Sequence, residues 1–348
     1  PRRIFPPPPP RATPVDRRPT AGPAGGPAPG TRLDGRPLET TATWGRKAGT
    51  MTALLLAVAS SASLGIIFRH TGAKGYRRLV VTAANYATAT IVALVLWLTD
   101  LGLSDATMAA EGASGAAPGS LAADAAAAGL SPPAILLGAA AGVMFFLAFI
   151  LYQRAVTDHG AGTAGMYGKL GVLVPMVLSI FLWRELPGDL QWLGLALALV
   201  AIVVSQAERR IGPARPALLL LLLAMGLSEF SNKIFEYYFD DGVRSLYLAV
   251  VFGTAFVISV AFLIARGFKP KPVEVLWGVA VGVPNLFSSF FLIAALQTIP
   301  AAVAFPVFSA GSIALIVLGA WIVFRDKPQR LEWVSLALTA VALVLVNL

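Results

Sequence analysis

Two stretches decide how this 348-residue chain is read. Residues 132–143 run PPAILLGAAAGV and residues 272–283 run PVEVLWGVAVGV, a shift of 140 residues. The shift aligns Pro132 with Pro272, Gly138 with Gly278 and Gly142 with Gly282. Each copy opens an apolar segment of the length a helix needs to cross a bilayer, roughly 20 residues. Each also sets two glycines four apart, and small residues at that spacing let a second helix approach closely where lipid excludes water.

The match extends outward from both copies. After a slip of one residue, Glu185-Leu186-Pro187 meets Asp326-Lys327-Pro328, and Trp192 meets Trp333. Upstream, Gly75-Tyr76-Arg77-Arg78-Leu79 meets Gly242-Val243-Arg244-Ser245-Leu246 at a shift of 167. The 27-residue excess over 140 is close to the length of the Ala- and Gly-rich stretch 101–132, which carries Asp105, Glu111 and Asp124 and reads as a flexible loop inserted in the first half. Apolar spans are expected at 51–68, 79–99, 133–153, 161–183, 190–206, 214–236, 245–266, 273–296, 301–324 and 331–347. The expected fold is therefore an all-α integral membrane protein of ten transmembrane helices, in two five-helix repeats over 51–206 and 214–348. An odd number of helices per repeat makes the second enter the membrane in the opposite sense. Inverted repeats are a hallmark of secondary transporters, with the substrate site near mid-membrane between the halves.

Composition agrees and excludes several classes. Apolar residues make up 57% of the chain and charged residues 13%, too few charges for a water-soluble domain of this size, which carries about 25%. Of the net charge of +9, the first fifty residues hold six, from nine basic and three acidic side chains, so the body has no nucleic-acid footprint. There is no cysteine, which removes disulfides, thiolate metal sites and cysteine nucleophiles. The two histidines, His70 and His159, fall at helix ends, so neither a histidine metal site nor an intramembrane enzyme is expected, and no cofactor is implied.

Residues 1–50 contain the run Pro6 to Pro10 and a stretch of only Ala, Gly and Pro from Ala21 to Gly30. Such a segment buries too little apolar surface to offset its ordering entropy and is expected to be a disordered tail. Met51 opens the first apolar helix and is expected to be the native start.

In two places the chain resembles the drug/metabolite transporter superfamily in its ten-helix EamA-type form. One is Ala155-Val156 through Pro175 to Trp183-Arg184-Glu185-Leu186; the other is Ala295-Leu296 through Ile299-Pro300-Ala301-Ala302 to Phe324-Arg325-Asp326. The resemblance covers residues 51–348. It departs at Asp326, where Glu is common, at Gly160, where the second half has Pro300, and in the long 101–132 loop. It implies a secondary transporter of a small organic metabolite or drug, working as an exporter by alternating access. The implied setting is a bacterial plasma or inner membrane, with protons as a coupling ion and a homodimer as a further expectation. A non-transporting membrane scaffold, or an accessory subunit in lipid handling, is the competing class.

Ionisable residues inside a span are costly and face a cavity or a partner. Lys169, with Tyr167 beside it, lies in the fourth span; Glu229, Asn232 and Lys233 lie in the sixth. The i, i+4 spacing of Glu229 and Lys233 puts them on one face, where they are expected to pair. Asn85 and Tyr86 in the second span, Asn285, Ser288 and Ser289 after Pro284, and Ser309 and Ser312 after Pro306 complete an expected substrate path. Prolines within spans free backbone carbonyls for such a path. Glu185 and Asp326 sit at turns, where capping contacts are expected. Gly138, Gly142, Gly278 and Gly282 are expected to pack helices. Gly160, Gly162 and Gly165 spell a dinucleotide-type glycine pattern, but no strand precedes them. Charge leaves the orientation open. Basic residues crowd the loops after odd-numbered spans, which favours both termini outside the cytoplasm, whereas a basic tail opposes this.

Overall fold

The protein is known from a computed structural model that describes residues 41–110, 131–159, 161–206, 216–325 and 329–347. The chain divides into two units, Pro1–Gly49 and Thr50–Leu348, and the second carries the helical body. The helices are α1 (Thr41–Ala73), α2 (Arg78–Ala110), α3 (Pro132–His159), α4 (Ala161–Leu170), α5 (Leu173–Trp183), α6 (Asp189–Gln206), α7 (Pro216–Tyr238), α8 (Arg244–Ala265), α9 (Pro272–Leu296), α10 (Ala301–Phe324) and α11 (Arg330–Asn347). No strand occurs among the described residues.

Among the described residues, seven helices are long and apolar enough to cross a membrane, and two shorter apolar helices, Tyr167–Trp183 and Asp189–Val204, accompany them. Large apolar side chains stand on the outer faces of these helices, among them Ile91, Leu98, Leu136, Phe181, Ile264, Leu276 and Ile322. Water would penalise so many exposed apolar groups, and hydrocarbon does not. The chain is an all-α, multi-pass integral membrane protein. Its centre is α10, in which every residue from Ala301 to Ala314 is buried. A helix that is apolar all round belongs inside a bundle.

Seven helices of spanning length are found among the described residues where ten spans are expected, and the elements differ from expectation in three further places. Helix α1 begins upstream of Met51, at Thr41. Helix α2 runs on through 101–110, where a loop is expected, because Leu101, Leu103, Ala106, Met108, Ala109 and Ala110 are good helix formers with no proline among them. The rest of that loop, 111–130, and the tail, 1–40, lie outside the described residues. The third difference is a break in the span expected over 161–183, which is two helices, α4 and α5. Pro175 lacks an N–H, and its ring conflicts with the carbonyl four residues back, that of Gly171. The ladder therefore shifts: Gly171 O accepts from Val174 N at 2.9 Å, and Gly171 N is shared between Tyr167 O at 3.2 Å and Gly168 O at 3.3 Å.

Close crossings at glycine set the packing. Gly278 and Gly282 of α9 lie against Val81, Ala84, Asn85 and Thr88 of α2, with a Cβ on Gly282 placed only 2.7 Å from Asn85 O. Gly138 and Gly142 of α3 lie against Tyr247, Val250, Val251 and Thr254 of α8, with a Cβ on Gly138 placed 3.1 Å from Tyr247 O. The four partners on α2 become the four on α8 by a constant step of 166 residues. The contact is one piece of packing made twice. A third crossing joins Gly171, between α4 and α5, to Gly226 of α7, where a side chain on Gly226 would collide with Gly171 O and Val174.

These contacts predict a graded response to substitution. Gly282→Val overpacks a backbone contact and is expected to lower stability by about 1–3 kcal/mol, read as a fall in Tm of detergent-solubilised protein. Gly165→Ala adds its methyl where nothing lies within 4 Å and is expected to leave Tm unchanged or slightly raised.

Candidate functional site

The break at Gly171 places Lys169 in the last turn of α4, beside the α7 crossing. Glu229 of α7 lies within electrostatic reach of Lys169 and is half-buried like it. Glu229 Oε2 accepts a hydrogen bond from Asn232 Nδ2 at 3.4 Å. Asn232 is buried, and its Oδ1 lies 3.4 Å from the hydroxyl of Tyr247 on α8. The same hydroxyl donates to Ser231 Oγ at 3.0 Å, and Ser231 Oγ donates to Ser228 O at 2.6 Å. A polar line thus runs from Glu229 through Asn232 to Tyr247, with Lys169 within electrostatic reach of its Glu229 end. It has one cation and one anion at the interrupted helix, and neutral groups behind them. Interrupted helices and intramembrane charges are where transporters place substrates.

Lys233 does not pair with Glu229 as the spacing suggests. Its Nζ lies 2.6 Å from Glu185 Oε1 and 2.6 Å from Glu236 Oε2. Two carboxylates near the end of α7 outcompete one in the middle, and Glu229 accepts from Asn232 instead. The Lys233 ammonium also lies 5.7 Å from the ring of Trp183 and 5.8 Å from that of Tyr237, a cation–π setting. Glu185 uses its second oxygen, Oε2, to accept from Ala301 N at 2.9 Å, at the start of α10. Here the turn glutamate caps a helix far away in sequence, where the helix dipole favours a carboxylate.

The remaining expected residues are scattered. Tyr167 is buried in an apolar cluster with Ala155, Ala164, Leu218 and Leu221. Asn285 Nδ2 donates to Asn85 Oδ1 at 3.1 Å across the α2–α9 crossing. Ser312 Oγ donates back to Phe308 O at 2.7 Å. Ser288 is buried, and so is Ser309, whose hydroxyl has no hydrogen-bond partner among the described residues. Helices α9 and α10 pass through Pro284 and Pro306 unbroken. Sequence reasoning missed Glu236, although its i, i+3 spacing from Lys233 is legible. It also missed Tyr247, a tyrosine in an apolar span with no motif around it.

Residues 245–339, which run from α8 into α11, match the family model of the Small Multidrug Resistance protein. None of the curated proteins compared matches the chain. Solved structures share the fold. One, titled "Crystal structure of protein", superposes with a TM-score of 0.60 at 17% identity over 86% of this chain and 96% of its own.

Removing the Lys233 ammonium leaves two glutamates facing each other away from bulk water. Lys233→Met is expected to cost about 3 kcal/mol, the lower end for breaking a buried pair because both glutamates keep some solvent contact. Thermal unfolding in detergent checks this, with Lys233→Arg retaining most of the wild-type Tm.

Proposed function

We propose that the protein is a secondary transporter of a small organic metabolite or drug, probed first as an exporter. The match of residues 245–339 to the Small Multidrug Resistance protein family carries this reading. The finer architecture we propose is ten spans in two inverted five-helix halves of the drug/metabolite transporter type. The broken α4–α5 segment is read as one crossing, and α6 and α11 as the fifth and tenth. The α9-on-α2 and α3-on-α8 crossings support it, because their partners differ by the same 166 residues. The ring contact of Tyr86 with Phe252 supports it too, with centroids 6.2 Å apart. These two residues are separated by that same step, so a residue touching its own counterpart lies on the axis that would relate the halves.

The Lys169–Glu229 pair is the proposed transport element. Each charge is tolerated away from water because the other balances it. A charged group of a substrate that engages one of the two leaves the other to find a new balance, and gain or loss of a proton supplies it. Protons are accordingly the proposed coupling ion. Rocking of the halves around α4, α5 and α7 would expose this pair to each side in turn.

The test is solute flux in proteoliposomes, with a panel of lipophilic organic ions and small metabolites. Lys169→Ala is expected to abolish flux while the protein stays folded in the membrane. Flux equal to that of the wild type would remove Lys169 from the mechanism.

A further inference from the structure

Outside the Lys169–Glu229 pair, the densest set of buried charges is the Lys233 node, and its parts come from three separate stretches of chain. Glu185 belongs to the turn between α5 and α6, Lys233 and Glu236 to the last turns of α7, and Ala301 to the start of α10. We infer that the Glu185–Lys233 bond is a reversible latch that holds this end of the bundle closed, and that Glu236 is the partner which keeps Lys233 satisfied when the latch opens. The inference rests on the transporter reading above.

The latch follows from how the node divides. Two of its bonds cross between elements: Lys233 to Glu185, and Glu185 to Ala301 N. The third, Lys233 to Glu236, stays within α7 at i, i+3. Separating the α5–α6 turn from α7 and α10 therefore breaks the first two bonds and leaves the third intact. Lys233 is 2% exposed, so an ammonium stripped of all partners would carry a prohibitive desolvation cost. Glu236 removes that cost, and Trp183 and Tyr237 continue to face the ammonium. Glu185 is 21% exposed and can take up water as it leaves.

The two glutamates touch the same ammonium, yet the latch assigns them opposite effects. The chain has no native cysteine, so spin labels attach only at introduced sites. Gly188→Cys and Gln297→Cys place labels on exposed positions on either side of the Glu185–Ala301 contact. Double electron–electron resonance on the full chain in lipid nanodiscs then reads the separation. Glu185→Gln is expected to raise the long-distance fraction about tenfold, the response to about 1.4 kcal/mol. Glu236→Gln is expected to leave that fraction at or below the wild-type value, because Lys233 then depends on Glu185 alone. If Glu185→Gln does not accumulate, Glu185→Asp, charged but one methylene shorter, is read the same way. Unchanged distances in the Glu185 variant, or equal widening in both variants, overturn the latch. The readout needs no transported solute, so a failure of the transporter reading shows up separately, as absent flux with an intact latch response.

Discussion

The approach of helix backbones at glycine is the constraint on which the rest of this structure depends. In lipid no hydrophobic force draws apolar helices together, so association relies on close contact and satisfied polar groups. Gly138 and Gly142 bring α3 onto α8, Gly278 and Gly282 bring α9 onto α2, and Gly171 with Gly226 brings the α4–α5 break onto α7. Most of the polar contacts described above lie beside one of these crossings or at a helix end. Asn285 reaches Asn85 because Gly282 lets Asn85 O come near, and Lys169 reaches α7 because Gly226 lets the broken helix descend onto it.

The buried charges fall into two kinds, separated by how many partners each has. Lys233 has two carboxylates at 2.6 Å and two aromatic rings within 6 Å, and Glu185 in turn holds a helix N-terminus. Those groups occupy one another. Lys169 and Glu229 lie only within electrostatic reach of one another, Glu229 has a single 3.4 Å amide contact, and both side chains are half-buried. A site that must take up and release a solute needs groups of the second kind, because a fully satisfied ion pair offers a ligand nothing it does not already have.

How much of this was legible depended on the range of the interaction. The repeat of GxxxG at a shift of 140 announced the α3 and α9 packing faces, because small residues at a four-residue spacing have few other uses in an apolar span. The sequence match gave a step of 167 between α2 and α8, whereas packing gives 166, since contacts with Gly138 and Gly278 fix the register more tightly than a loop motif does. The helix break was readable in principle, as Pro175 sits four residues after Gly171, whereas Pro284 and Pro306 follow Ala280 and Ala302 at that spacing and break nothing. Lys233 was assigned to Glu229 by local spacing and lost to Glu185, a partner 48 residues away through a turn that no local rule places. Tyr247 was invisible for the same reason.

The packing repeats along the chain where the chemistry does not. At the 140-residue step that takes Pro132 to Pro272, Gly171 corresponds to Gly311 and Lys169 to Ser309. Gly311 does in its half what Gly171 does in the other: it receives a neighbouring helix closely, with Val58 of α1 only 3.0 Å from where a Cβ would stand. Around Gly171 the helix is broken and a lysine faces a glutamate; around Gly311 the helix is continuous and a buried serine hydroxyl stands without a partner. The shared crossings are steric, with little or no room for a side chain at the glycines. Charge is not repeated with them: an ion held away from water carries a desolvation penalty that an uncharged serine avoids. Steric packing is thus repeated where charge is not: Gly138 with Gly142 and Gly278 with Gly282 make the same crossing, while the position 140 residues on from Lys169 carries the uncharged Ser309.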